Sequence, residues 1–289
     1  MAKADIVIKR KAPKDVRWAI TWVVVIAAVA LWNVLFLNKP ALALVIEGFG
    51  NTMLIALMVC GFTLAYGWIA TILLHSFEAK NRRIMLLITT FILNCIRSIP
   101  QIIGVLIGYV LIAGLIGDEV LRGNHVIFPL MAALMSLFIF QEMVDLMRER
   151  IAHFRTLDFY NAMLVCGISE SRIVNNDILW KNSRAHIFNK LISVFGMAVF
   201  IQCSVDFIIS VGLSTDVSPV DLPVTLGSLL AKIDSKQDIL AIGHALTHFD
   251  YIGKLFFTHL QGLTIAFCIV FTLLCVYSIS NGFSERHRL

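Results

Sequence analysis

Residues 191–213 read LISVFGMAVFIQCSVDFIISVGL, an unbroken apolar run whose one charged residue is Asp206. A helix crossing the hydrocarbon core of a bilayer needs about 20 such residues, whereas a barrel strand alternates over about ten. The stretch therefore predicts a transmembrane helix, and the rest of the chain repeats the pattern. Apolar runs at 18–37, 52–75, 84–116 and 255–280 predict further spans, and a run at 126–141 opens another that continues as an amphipathic helix toward Arg148. The run at 84–116 is long and is interrupted by Arg97 and Pro100. The first run follows basic residues, as a signal peptide does, but it exceeds the 7–15 residues of a signal core and is expected to stay as a span.

Composition agrees. Of 289 residues, 58% are hydrophobic and 15% charged, and the mean hydropathy is +0.84. A soluble domain carries about 25% charged residues. The balance excludes a soluble enzyme, a nucleic-acid-binding domain and a disordered chain, leaving an all-α integral membrane protein surrounded by lipid. The six cysteines form no CxxC pair and lie mostly in apolar runs, which fits buried thiols better than a disulfide framework or a zinc site. No GxxxxGK[ST] phosphate loop is present.

The basic residues orient the chain. Eighteen of the 24 Lys and Arg fall in the N-terminal tail, the loop after the second span, the loop after the fourth, and the C-terminal tail. Five lie on the other side: Lys39, Arg122, Lys232, Lys236 and Lys254. The positive-inside rule then predicts six spans with both termini in the cytoplasm. The outer side is mildly acidic, with Glu47, Asp118, Glu119, Asp216, Asp221, Asp234, Asp238 and Asp250. The organisation expected is a basic tail (1–17), a first span with a short outer segment (18–50), and a transmembrane domain (51–289). That domain has a cytoplasmic loop near 142–190 and an outer loop near 214–254.

The cytoplasmic loop includes RERIAHFRTLDFYNAMLVCGISESRIVNNDILWKN, residues 148–182. Helical pattern runs to Cys166, Gly167 breaks it, and Ser169 is placed to cap a second helix. Two short helices with a bend between them make an elbow, a shape suited to docking a soluble partner.

These residues resemble the permease subunits of bacterial ABC importers, whose cytoplasmic loop carries an EAA-x-x-x-G motif with a later I-L-P ending. Asn161-Ala162-Met163 falls at the EAA position, Gly167 on the glycine, and Ile178-Leu179-Trp180 on the ILP ending. Arg148 and Asp158-Phe159 fall where oligopeptide, dipeptide and nickel permeases have Arg and Glu-Tyr. Residues 207–214 (FIISVGLS) are similar to S-F-L-G-L-G, and residues 225–231 (TLGSLLA) to the W-G-N-M-L-A stretch of the outer loop. Gly262-Leu-Thr-Ile265 and Asn281-Gly282 echo the last span and ending. The likeness covers roughly residue 51 to the end. Asn161, Met163 and Trp180 depart from the motif, and the usual G-T-D-x-x-G-R-D segment after the first span is absent, which marks a divergent branch.

The resemblance implies a type I ABC importer permease fold in a bacterial inner membrane. The importer would carry peptides or a similar small solute. It also implies a homologous second permease, two ATP-binding cassette ATPase subunits and an extracytoplasmic binding protein. ATP and Mg²⁺ would be bound by the ATPases and no cofactor by this chain, which would not be an enzyme. The coupling residues would be Asp158, Phe159, Asn161, Ala162, Met163, Gly167, Ile168 and Ser169. Within the membrane, Arg97 and Asp206 are the costly charges. Together with Pro100 and Gln202, one turn before Asp206, they are the candidate path residues, although Arg97 also suits an interfacial anchor. Two other classes compete: an ion-coupled secondary transporter or channel using Arg97 and Asp206, and a metalloenzyme using His244 and His248, which are four apart but lack the glutamate of HExxH.

Overall fold

Asn38 starts the longest element. Its side chain accepts a hydrogen bond from the Ala41 N–H at 2.9 Å, and Pro40 sits in the first turn, where a missing N–H costs nothing. The helix α2 then runs Lys39–Ala79, 41 residues or about 60 Å, well beyond a hydrocarbon core of ~30 Å. The apolar pattern places its start at residue 52, because Glu47, Gly48, Gly50 and Asn51 interrupt the run. The structure carries the helix through them, so 39–50 is helix, capped by Asn38, and not a separate connecting segment.

The computed structural model describes residues 12–212, 222–232, 240–241, 243–258 and 260–287. Lys3, Lys9, Arg10, Lys11, Leu213, Ser214, Asp216, Asp221, Asp234, Lys236, Asp238, His259 and Arg288 lie outside the described residues. Other helices among the described residues are α1 (Lys14–Phe36), α3 (Arg83–Ser98), α4 (Gln101–Gly117), α5 (Asn124–Ile139), α6 (Gln141–Arg155), α7 (Asp158–Val165), α8 (Arg184–Gly212), α9 (Leu226–Leu230), α10 (Ile252–Thr258) and α11 (Leu260–His287), with short helical turns at Glu170–Arg172 and Phe249–Tyr251. A π-helical segment, Ile173–Asn182, precedes α8.

Among the described residues, four helices, α1, α2, α8 and α11, are long and apolar enough to cross a membrane. Two bent pairs raise the number to six if each pair makes one span: α3–α4, at 89°, and α5–α6, at 50°. The third expected span is therefore a sharp corner, not a straight rod. Pro100 causes it, since a proline forces the preceding residue out of the α region: Ile99 is extended, and α4 restarts with Pro100 as its N-cap. Helix α3 is amphipathic, with Arg83, Thr90, Asn94 and Arg97 at helical spacing along one side. It uses Leu86, Leu93 and Ile96 to pack on α2 and α6.

The core lies where α2, α4, α5, α8, α9 and α11 converge, around Ile55, Tyr109, Met131, Met135, Val199, Leu226 and Ile265. Helix α1 stands outside this core. It leans on α11 through Trp22 Nε1 to Thr272 Oγ1 (3.0 Å) and Thr264 Oγ1 to Asn33 Oδ1 (3.0 Å), leaving Ile20, Val24, Leu31 and Leu35 exposed, as a lipid-facing helix would. Ion pairs Lys14–Glu285 (2.6 Å) and Arg286–Asp15 (3.0 Å) put the first and last described segments at the same end of the bundle. The bend around Gly167 lies at that end too, since Asn189 at the start of α8 accepts from Ser280 Oγ near the end of α11 (3.0 Å). We call it the basic end.

Candidate functional site: an elbow and a buried aspartate

Helix α7 ends in a Schellman motif. The Ile168 N–H donates to the Met163 carbonyl (3.2 Å) and the Gly167 N–H to the Leu164 carbonyl (2.9 Å). This closure requires a left-handed residue, and Gly167 supplies it at φ +77°. The motif brings Ile168 over Met163, and both pack against a second apolar cluster containing Met143, Met147, Ile151, Tyr160, Ile173, Val174, Ile178 and Leu179. The next helical turn starts after Ser169, as its position predicts. Ser169 makes no side-chain cap; its carbonyl alone receives the Arg172 and Ile173 N–H groups.

The π-helical segment secures the far side of the bend. With i to i+5 bonding, residues five apart fall near one another. The pairs Ile173-Val174 and Ile178-Leu179 therefore share one face, and all four are fully buried. Trp180 is left outside, against Trp68 at 6.3 Å, while Trp68 Nε1 donates to Asn175 Oδ1 at 2.7 Å. The elbow thus has two faces. Tyr160, Met163 and Ile168 turn inward; Asp158, Phe159, Asn161, Ala162 and Ser169 are exposed, with Leu164 and Val165 beside them. Val165 is 89% exposed, the most open of the large apolar side chains among the described residues.

A polar cluster that the sequence reading did not single out ties this elbow to α2. Arg155, at the end of α6, donates to Glu170 Oε1 (2.8 Å), contacts His75 Nδ1 (3.0 Å) and lies 3.9 Å from Glu78. Tyr160 Oη donates to the same Glu170 oxygen at 2.7 Å, and Arg148 reaches Glu78 at 3.3 Å. The hint was His75 and Glu78 closing an otherwise uncharged span. The hydrogen bond from Tyr160, reinforced by Arg155, holds the Glu170 carboxyl below its ordinary value. Burial, then the bond to Glu170, raises the Tyr160 phenol.

Because the folded-state value of Glu170 is depressed, its contribution is complete above the unfolded carboxylate pKa of about 4.3. It is lost as pH falls through the folded value. Hydrogen exchange of residues 158–172, corrected for intrinsic rates, is expected to hold from pH 7 to 5 and to accelerate on acidification toward pH 3. Glu170→Gln should flatten that profile. An unchanged profile in the variant would remove Glu170 as the cause.

The second site is inside the bundle. Asp206 on α8 is 3% exposed and accepts from Thr225 Oγ1 at 2.6 Å. Gln202, one turn earlier, and Tyr109 on α4 are fully buried, and neither the Gln202 amide nor the Tyr109 hydroxyl has a hydrogen-bond partner among the described residues. The sequence reading placed Asp206 and Gln202 together correctly as neighbours on one helix. It missed Tyr109 and Thr225, whose apolar or loop-like surroundings gave no signal.

Compared with protein-family models and with curated proteins, the sequence matches none. The two sites therefore rest on their own geometry.

Arg97 and Pro100 belong elsewhere. Arg97 is about half exposed; it donates to Gln141 Oε1 at 3.0 Å and pairs with Asp145 at 2.6 Å. Gln141 Nε2 donates in turn to the Leu93 carbonyl at 2.8 Å. These bonds hold the α3–α4 corner against the α5–α6 bend, so Arg97 acts as a clasp between the two bends. His244 and His248 stack face to face with centroids 4.3 Å apart, and His244 meets Tyr251 edge-on. No group of three or more His, Cys, Asp or Glu able to hold a metal occurs among the described residues.

Proposed function

We propose that this chain is the permease subunit of a type I ABC importer for peptides or a similar small solute. It would be seated in a bacterial inner membrane with both termini in the cytoplasm and would supply half of the translocation path. The observation that carries the reading is the two-faced elbow: a short helix closed by Gly167, pinned inward by Met163 and Ile168, and presenting Phe159, Leu164 and Val165 outward. An exposed apolar ridge on a rigid bend is what an ATPase groove requires. The order of motifs from Arg148 to Trp180 supports the same partner. In this reading two ATPase subunits bind ATP and Mg²⁺. Their closure drives this chain and a homologous second permease between inward- and outward-facing states, while an extracytoplasmic protein delivers solute. An ion-coupled transporter built on Arg97 and Asp206 is less well supported, because Arg97 is engaged by Asp145 and Gln141 and not by Asp206.

Val165→Asp tests it. The side chain is open to solvent, so folding stability should stay within about 0.5 kcal/mol. Co-purification of the ATPase subunits with the chain should fall at least tenfold, and transport with it. Full recovery of the ATPases with the variant, or transport by the chain without any ATPase, would sink the proposal.

A further inference from the structure

The segment 222–232 is part of the loop expected on the side opposite the elbow, yet it is not a surface loop. Leu226 and Leu229 are fully buried, and Thr225 is too. Gly227 lies so close to α8 that a Cβ there would sit 2.4 Å from the Cys203 carbonyl oxygen and 2.7 Å from its Cα. Cys203 is nine residues inside the end of α8 at Gly212, about 14 Å along the axis. The α2 side is as intimate. Asn51 Nδ2 donates to the Val224 carbonyl at 2.8 Å, and the Leu226 N–H donates to Thr52 Oγ1 at 3.0 Å. A Cβ on Gly48 would meet Leu229 Cδ1 at 2.7 Å. Chain that enters a bundle this deeply has to satisfy its own backbone polar groups. It does so with one short helix, α9, and a capping box in which the Thr225 N–H donates to Ser228 Oγ and the Ser228 N–H to Thr225 Oγ1.

We infer that 222–232 is a re-entrant plug closing the outer end of this chain's half of the path, with the Thr225–Asp206 hydrogen bond as its latch. The word "path" rests on the permease reading; the plug and its latch do not. Asp206 is thereby a positioning residue. It holds the plug through Thr225 at full burial and, in the closed state, is covered by it and does not face solute. The latch is a short bond to a carboxylate that ties the segment to α8, while the hydrogen bonds of Asn51 and Thr52 tie it to α2. When the latch parts, Asp206 joins Gln202 and Tyr109 as polar groups seeking a partner, so the opened mouth becomes hydrophilic.

Hydrogen exchange of the full-length chain in lipid nanodiscs tests this. In the parent protein, residues 222–232 are expected to exchange as slowly as neighbouring parts of α8 and at least tenfold more slowly than 243–247. Thr225→Val, which keeps the shape and removes the donor together with the acceptor of the Ser228 N–H, and Asp206→Ala, which removes the latch acceptor alone, should each speed exchange of 222–232 at least tenfold while α2 and α8 hold their protection. Asp206→Asn, which keeps an acceptor, should stay near the parent. Fast exchange in the parent overturns the plug, and equal exchange in all variants overturns the latch. Asp206→Asn behaving like Asp206→Ala would replace the hydrogen bond with the charge as the cause and overturn the latch as stated. A further arm adds the ATPase subunits and a non-hydrolysable ATP analogue. No change of the plug there, with the latch arms intact, counts against the permease reading alone.

Discussion

Gly227→Val is expected to expel the plug and lower the thermal midpoint of the detergent-solubilised chain by roughly 5 °C or more. The conflict is between two pieces of main chain. A Cβ at this position falls 2.4–2.9 Å from the carbonyl oxygen, Cα and carbonyl carbon of Cys203. Flexible side chains yield to such an intrusion, but Cys203 is mid-helix in α8, and its backbone is fixed by its own hydrogen-bonded turn. Overpacking of this kind costs about 1–3 kcal/mol, and more when nothing can relax. The valine branch adds two further carbons against the same wall. Gly50, Gly61 and Gly114 provide the contrast: a Cβ at each meets nothing within 4 Å, so alanine there should not lower the midpoint and, by favouring the helix, should raise it slightly. The measurement is a melting curve for each variant with hydrogen exchange of 222–232. A Gly227→Val chain that melts with the parent and keeps the plug protected would mean the close approach to Cys203 is not real.

On the permease reading, Gly167→Pro is expected to abolish ATPase co-purification and transport, a loss of a hundredfold or more, while leaving the long apolar helices intact. Proline fails here twice. Its ring holds φ near −65°, whereas Gly167 sits at +77°. It also lacks the N–H that Gly167 donates to the Leu164 carbonyl. No atom blocks a Cβ at this site, so the penalty for other residues is conformational and graded. Asparagine, which tolerates left-handed geometry, should lose least, and alanine should cost about 1 kcal/mol. Hydrogen exchange of residues 158–172 reads the same order, asparagine then alanine then proline, whether or not a partner is present. An order that follows side-chain size instead would show that the turn is not what limits the elbow.

The sequence made some of this legible and hid the rest for definable reasons. Apolar runs revealed α1, α8 and α11 because a long uninterrupted run admits only one reading. The break at Gly167 was visible because glycine after a helical pattern is a local signal that needs no tertiary information. The start of α2 was hidden although Asn38 and Pro40 announced it: Glu47, Gly48, Gly50 and Asn51 look like a loop until the burial of Gly48 and the use of Asn51 and Thr52 to grip residues 224–226 are seen. Pro100 foretold a kink, but the size of the corner depends on Arg97, Gln141 and Asp145 clasping two distant segments. The plug lay beyond reach, since each contact that buries it joins residues far apart in the chain.

The length of α2 has a mechanical meaning. His75 and Glu78 near one end meet Arg155 of the elbow assembly, and Gly48, Asn51 and Thr52 near the other meet the segment 222–232. His75 is 23 residues beyond Thr52 in one continuous helix, about 35 Å of rod. An α-helix is stiff along its axis, so a shift imposed at its foot is delivered at its head with little lost in between. On the permease and plug readings this helix would serve as a push-rod, carrying work done on the elbow to the hydrogen bonds that seat residues 224–226.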